Sequence, residues 1–147
     1  MSSRQHWETV YREKPEDAVS WFQAHPSISL ELIHAHAAPG GALIDVGGGA
    51  SRLVDLLLAE GHSDLTVLDI AETALERARV RLGAAASRVE WLTADVTEWR
   101  PARRYALWHD RAVFHFLTEP AQRDAYREAL AAGLAPGAYA IIASFGL

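Results

Sequence analysis

The chain has 147 residues, half of them hydrophobic, enough for one domain around one continuous core. Its 14 basic and 19 acidic residues give a formal net charge of −5, so it lacks the basic footprint of a protein that grips nucleic acid backbone. The absence of cysteine excludes disulfides and thiolate nucleophiles; the polar start Met1-Ser2-Ser3-Arg4-Gln5-His6 and the lack of any apolar run near about eighteen residues give no signal peptide or membrane span, so a cytoplasmic location is expected.

In chain order, Gln5 to Lys14 reads as a short helix with Trp7 and Tyr11 at i, i+4 spacing, stopped by Pro15. Glu16 to Ala24 is a second short segment carrying Trp21 and Phe22. Ser27 is the predicted N-cap of a helix over Ile28 to Ala38, with Leu30, Leu32 and Ile33 on its buried side and Pro39-Gly40-Gly41 ending it. The chain then alternates: strand 42–46, helix 51–60 with Leu53, Leu56, Leu57 and Leu58 as its apolar face, strand 64–69, and helix 71–82 with Leu75, Ala78 and Leu82 inward and Gly83 as its C-cap. Strand 88–93, a loop at Asp95, strand 104–109, a helix near 119–132 and a last strand over Ala138 to Phe145 complete it. Such alternation predicts an α/β fold, a doubly wound parallel sheet with helices on both faces.

The stretch Ala42-Leu43-Ile44-Asp45-Val46-Gly47-Gly48-Gly49-Ala50-Ser51 runs from an apolar strand through an aspartate into three glycines and a helix start. Glycines let the backbone turn sharply and come close to a ligand, and a helix N-terminus presents unpaired N–H groups there. A second apolar strand, Asp64 to Ile70, carries Asp69, 22 residues after Gly47, where an α/β nucleotide fold places a carboxylate for ribose hydroxyls. A dinucleotide fingerprint needs a small residue where this chain has Arg52. Asp45 would disfavour a pyrophosphate but suits the ammonium of an amino-acid-bearing ligand.

On Leu43 to Ser51, Val67 to Ile70, Leu92 to Val96 and Ala106 to Arg111, four blocks in order along nearly the whole chain, the sequence resembles class I S-adenosylmethionine-dependent methyltransferases. The resemblance implies one domain over 1–147, with an N-terminal helical cap at 1–40 and a Rossmann-like core at 41–147. It also implies strand order 3-2-1-4-5; the family's sixth and seventh strands are expected to be missing, because the chain stops just after strand five. The implied cofactor is S-adenosylmethionine, leaving as S-adenosylhomocysteine, with Asp45, Gly47, Gly48, Gly49, Ser51, Asp69, Ile70, Asp95 and Val96 around it. The aromatic amino terminus, Trp7 to Trp21, resembles a cap over that cofactor, in which Trp21 and Phe22 would exclude water; the alternative is that these aromatics are core.

The fourth block continues as Trp108-His109-Asp110-Arg111-Ala112-Val113-Phe114-His115-Phe116. His109 and His115 are candidates for a general base or acceptor-binding group because imidazole titrates near neutral pH, and each could instead simply be hydrogen-bonded to a loop. Asp110 is expected to help form the pocket or to pair with Arg111. The methyl acceptor is expected to be a small molecule or a protein side chain, since the Asn/Asp-Pro-Pro-Tyr signature of adenine amino methylation is absent. No metal site is expected: His34 and His36 point about 200° apart on a helix, and Asp45, Asp69 and Asp95 belong to different strands. The apolar last strand suggests a homodimer through its open edge. An NAD-dependent oxidoreductase and a truncated, non-catalytic binding domain are the alternatives.

Overall fold

A computed structural model of the chain describes residues 3–13, 26–38, 40–111 and 113–143. Helix α1 (Ser3–Glu13) and helix α2 (Ser27–His36) precede the alternating core of β1 (Leu43–Val46), α3 (Leu53–Ala59), β2 (Leu65–Asp69), α4 (Glu72–Leu82) and β3 (Val89–Thr93). The core then continues with β4 (Tyr105–Asp110), α5 (Pro120–Gly133) and β5 (Leu134–Ile142). All strand pairs are parallel, in the order β3-β2-β1-β4-β5. The chain builds outward from β1 through β2 to β3, then crosses back to β4 and β5, so the direction of winding reverses between β1 and β4. That reversal opens a crevice at the carboxyl ends of the strands, where α/β folds take their ligands.

Side-chain parity distributes the strands' residues between two apolar layers. On one face Leu43, Leu65, Val67 and Leu107 pack with Leu30 and Ile33 of α2, Leu53, Val54, Leu57 and Leu58 of α3 and Leu75 of α4. On the other, Ile44, Val46, Leu68 and Trp108 pack with Tyr105, Val96, and Tyr126 and Ala129 of α5. Both faces are covered, so these strands are continuous apolar runs without hydrophobic–polar alternation. Asp45 is odd-numbered like Leu43 and thus faces α2; His109, its register partner in β4, does the same.

Three sequence expectations change. Leu32, expected on the buried side, is 40% exposed. The buried stripe of α2 runs instead through Ser29, Leu30 and Ile33, with a hydroxyl turned toward the sheet. Helix α2 begins at Ser27 itself with Pro26 at the capping position. The last strand, expected from 138, starts at Leu134 straight out of α5 and carries Pro136 and Gly137 within it. An edge strand tolerates a proline that a central strand would not. Gly137 takes φ +77, and the pairing with β4 shifts register between Tyr105 and Leu107. Tyr139 and Ile142 of β5 remain substantially exposed, with Tyr139 stacked on His36 at 4.4 Å. Among the described residues no helix is long and apolar enough to cross a membrane.

Candidate functional site

The loop after β1 is shaped by three glycines with three separate reasons. Gly47 sits at φ +75, and a Cβ there would lie 2.1 Å from Val113 Cγ2. A Cβ on Gly48 would lie 2.2 Å from Asp45 Oδ2, and one on Gly49 would lie 2.9 Å from Asp69 Oδ2 and 2.8 Å from Ala74 Cβ. The loop is therefore laid directly on two carboxylates, with backbone where side chains would collide. Ser51 Oγ accepts the Leu53 N–H at 3.0 Å in the turn that leads into α3, whose N-cap position is Arg52.

Asp69 ends β2 and is buried. Its Oδ2 accepts the Gly49 N–H at 3.0 Å and its Oδ1 the Ala71 N–H at 2.9 Å, which ties the glycine loop to the start of α4. Burial pushes its carboxyl up to about 6, against the pull of those two N–H groups; the charges of Asp45 and Glu8 add to the rise. Asp95 closes a short turn after β3, where its Oδ1 accepts both the N–H and the hydroxyl of Thr97, leaving Oδ2 its lone pairs.

A cavity at the carboxyl ends of the strands is lined by Gly47, Asp69, Ile70, Asp95, Val96 and Val113, and is closed over by Trp7, Phe116, Leu117 and Gln122. Five of the sequence-derived cofactor residues thus share one surface, while Asp45, Gly48, Gly49 and Ser51 lie behind or beside it. Trp21 and Phe22 fall outside the described residues. Trp7 takes the capping position: it stands edge-on to Phe116 with ring centroids 5.2 Å apart and packs on Ala50, Ala71 and Ala74. Helix α1 is clasped to α4 through the Glu8 carboxylate, which accepts the Thr73 hydroxyl and, at 3.4 Å, the Thr73 N–H.

The fourth block is differentiated by its burial. Asp110 is fully buried, and its carboxylate accepts the N–H groups of Val113 (2.7 Å) and Phe114 (3.0 Å) and the Tyr126 hydroxyl (2.5 Å). It anchors the turn that carries Val113 and the 3₁₀ segment Phe114–Phe116 against the cavity. Tyr126 in turn accepts the Trp108 Nε1–H at 3.0 Å, and burial together with the Asp110 charge raises its phenol pKa. His115 lies on that segment, partly exposed and edge-on to Phe116. His109 is buried with both ring nitrogens engaged, Nδ1 with Asp45 Oδ1 and Nε2 with Ser29 Oγ, each at 2.8 Å.

Ser29, His109 and Asp45 reproduce the connectivity of a nucleophilic triad, but Ser29 is 7% exposed and none of the three lines the cavity. The other oxygen of Asp45, Oδ2, is buried without a hydrogen-bond partner among the described residues. A buried carboxylate oxygen left unpaired is costly, and it is suited to a cation. An unpaired anionic oxygen under a glycine loop, a carboxylate at the end of β2 and a free Asp95 oxygen fit a nucleoside ligand that also bears an ammonium group. Among the described residues no cluster of three metal-ligating side chains occurs.

A model of the family described as "Methyltransferase domain" matches residues 43–137. The chain is 36% identical over 85 residues to malonyl-[acyl-carrier protein] O-methyltransferase of Anoxybacillus flavithermus, covering 57% of this chain and 32% of that protein. It is 24% identical over 96 residues to the eEF1A lysine and N-terminal methyltransferase of Mus musculus, covering 65% and 14%. The chain thus spans less than a third of the length of these relatives. Among solved structures, the N-methyltransferase NodS from Bradyrhizobium japonicum WM9 in complex with S-adenosyl-l-homocysteine superposes with a TM-score of 0.73 at 17% identity, over 96% of this chain and 72% of that one. The glycopeptide N-methyltransferase MtfA complexed with (S)-adenosyl-L-homocysteine gives 0.72 at 18%, over 97% and 61%.

Proposed function

Because the chain belongs to the methyltransferase-domain family, we propose that it binds S-adenosylmethionine and transfers its methyl group to a small molecule or a protein side chain. The observation that carries this reading is the pair of buried carboxylates bracketing the glycine loop. Asp69 meets Gly49 and keeps lone pairs toward the cavity, and Asp45 presents an unpaired oxygen beneath Gly48. Asp69 would accept the ribose hydroxyls, Asp45 would face the ammonium, and Asp95 Oδ2 with Ile70 and Val96 would receive the adenine.

The cofactor supplies an electrophilic methyl on a sulfonium, which is displaced in line without covalent help from the protein. The chain's own contribution is alignment and exclusion of water. Trp7 and Phe116 close the cavity mouth, and Val113, held by Asp110, presses on the turn at Gly47. Of the two candidate imidazoles, His115 is the one with access to an acceptor that docks on the 114–116 segment; His109 is committed inside the protein. The relatives named above include an O-methyltransferase, a lysine and N-terminal methyltransferase and N-methyltransferases, so the family membership leaves the acceptor atom open.

Titration calorimetry with S-adenosylhomocysteine tests the reading. Asp69→Ala is expected to weaken binding by roughly 1.5–3 kcal/mol, the usual contribution of a hydrogen bond to a charged group. Unchanged affinity would remove Asp69 from the site. A thermal shift produced by NADH and not by S-adenosylhomocysteine would instead assign the cavity to a dinucleotide.

A further inference from the structure

Asp45 and His109 are direct neighbours across the β1/β4 pair, and parity turns both toward α2. There Ser29 supplies the only hydroxyl in the buried stripe of the helix, completing a chain from Ser29 Oγ through both nitrogens of His109 to Asp45 Oδ1. Because the carboxylate can only accept, Nδ1 carries the proton, and Nε2 takes its hydrogen bond from the serine when the ring is neutral. The network leaves Asp45 Oδ2 alone, 2.2 Å from where a Gly48 Cβ would stand. We infer that Ser29 and His109 form a positioning relay, which holds Oδ2 of Asp45 beneath the glycine loop to receive the ammonium group of an amino-acid-bearing ligand. This inference rests on the cofactor reading given above.

The physical need for such a relay lies in the aspartate itself. The terminal torsion of a carboxylate is broad and roughly two-fold, so a buried aspartate with nothing to hold it turns to whatever N–H groups lie nearest. Gly48 lies directly against this carboxylate, and an Asp45 turned onto its N–H would no longer keep Oδ2 for a ligand. A donor fixed on the opposite side stops that rotation, and Ser29 fixes the ring of the donor in turn, much as outer partners orient the ligands of a metal. His109 does not line the cavity and its ring nitrogens are engaged by Asp45 and Ser29, so its effect on binding must pass through Asp45.

The test compares two ligands by calorimetry: S-adenosylhomocysteine, and 5′-methylthioadenosine, which shares the adenosine and thioether but lacks the amino-acid chain. In His109→Leu, affinity for S-adenosylhomocysteine is expected to fall roughly tenfold while that for 5′-methylthioadenosine changes by less than about threefold. His109→Asn, which keeps an N–H near Asp45, is expected to restore most of the difference, and Ser29→Ala to show a loss of about threefold in the same direction. Near-ultraviolet circular dichroism checks folding; should His109→Leu not fold, Ser29→Ala and Asp45→Asn carry the same comparison. Equal losses for both ligands, or no loss, would make the relay a packing device between α2 and the sheet and overturn the inference. A wild-type protein that binds neither ligand would overturn the cofactor reading itself, whereas one that prefers S-adenosylhomocysteine with variants that keep that preference would overturn the relay alone.

Discussion

On the proposed role of Asp69 in holding the ribose, the stability of the ligand-free protein and its grip on a ligand run in opposite directions with pH. Its carboxyl moves from the ordinary 3.8 to about 6 in the folded chain, so between those values the folded state holds a proton that the unfolded state has lost. Stability from this group is therefore highest near pH 4, falls as pH rises, and levels off above pH 6; the gap is worth about 3 kcal/mol. Glu72 acts in the opposite sense at lower pH, since hydrogen bonds from Thr93 and Arg79 lower its pKa and that stabilisation is lost only as the solution becomes more acidic. Urea unfolding between pH 5 and 7.5, compared between wild type and Asp69→Asn, isolates Asp69. The asparagine meets the two N–H groups of Gly49 and Ala71 with a single acceptor, a cost that is constant with pH. The difference between the two curves should thus vary by about 1.4 kcal/mol between pH 5 and 7.5, the rest of the gap lying below pH 5. Ribose hydroxyls need the carboxylate as acceptor, so the extra stability conferred by S-adenosylhomocysteine should shrink below pH 6 in wild type and stay flat in the variant. Parallel curves for the two proteins would refute the assignment of a raised carboxyl at this position.

Gly47→Ala is expected to cost about 2–5 kcal/mol in urea unfolding, from the left-handed backbone and the collision with Val113; adding Val113→Ala should recover the collision but not the backbone strain. Tyr126→Phe removes both the acceptor of Trp108 Nε1–H and a donor to Asp110, and should lower stability by about 1–3 kcal/mol in the same assay. The wild-type protein should also lose stability above about pH 10, because the folded state keeps the Tyr126 phenol protonated where an unfolded tyrosine ionises. Trp7→Ala should weaken S-adenosylhomocysteine by about 1 kcal/mol in calorimetry while leaving the unfolding midpoint nearly unchanged, since the ring lies over the cavity and not in the main core.

The sheet was legible because each central strand is an apolar run bounded by glycine, proline or a charged residue, and helices such as α3 set their leucines on one face. The expected strand 42–46 is observed as Leu43–Val46, and the expected helix 119–132 as Pro120–Gly133. The last strand was misplaced because Ala135-Pro136-Gly137 has turn chemistry; only an edge position lets it pair. Of the site, Asp69 and the glycines could be read locally, since a loop and the acid beside it have fixed spacing. Ser29 could not: a serine inside an apolar helix, 80 residues from the histidine it meets, has no local signature. The parity of β1 and β4 was the available clue, because it places Asp45 and His109 on one face once the strands are paired. Asp110 was read as a pocket residue or the partner of Arg111, and its bond to Tyr126 depends on how α5 docks. Trp7 was recognised as aromatic cap or core, but nothing in its own helix distinguishes the two.

The contact between Val113 and the turn at Gly47 interlocks the loops that follow β1 and β4. Loops around such sheets are commonly treated as interchangeable modules, exchanged between homologues to move an enzyme from one acceptor to another. In this chain the segment after β4 cannot be transplanted alone: a graft over 111–117 must bring a side chain at 113 that tolerates the existing glycine turn, and an aspartate at 110 to receive its N–H groups. Library design for altered acceptors would therefore do better to vary positions 115, 116 and 117 with 110 and 113 held constant, or to recombine both loops from one parent.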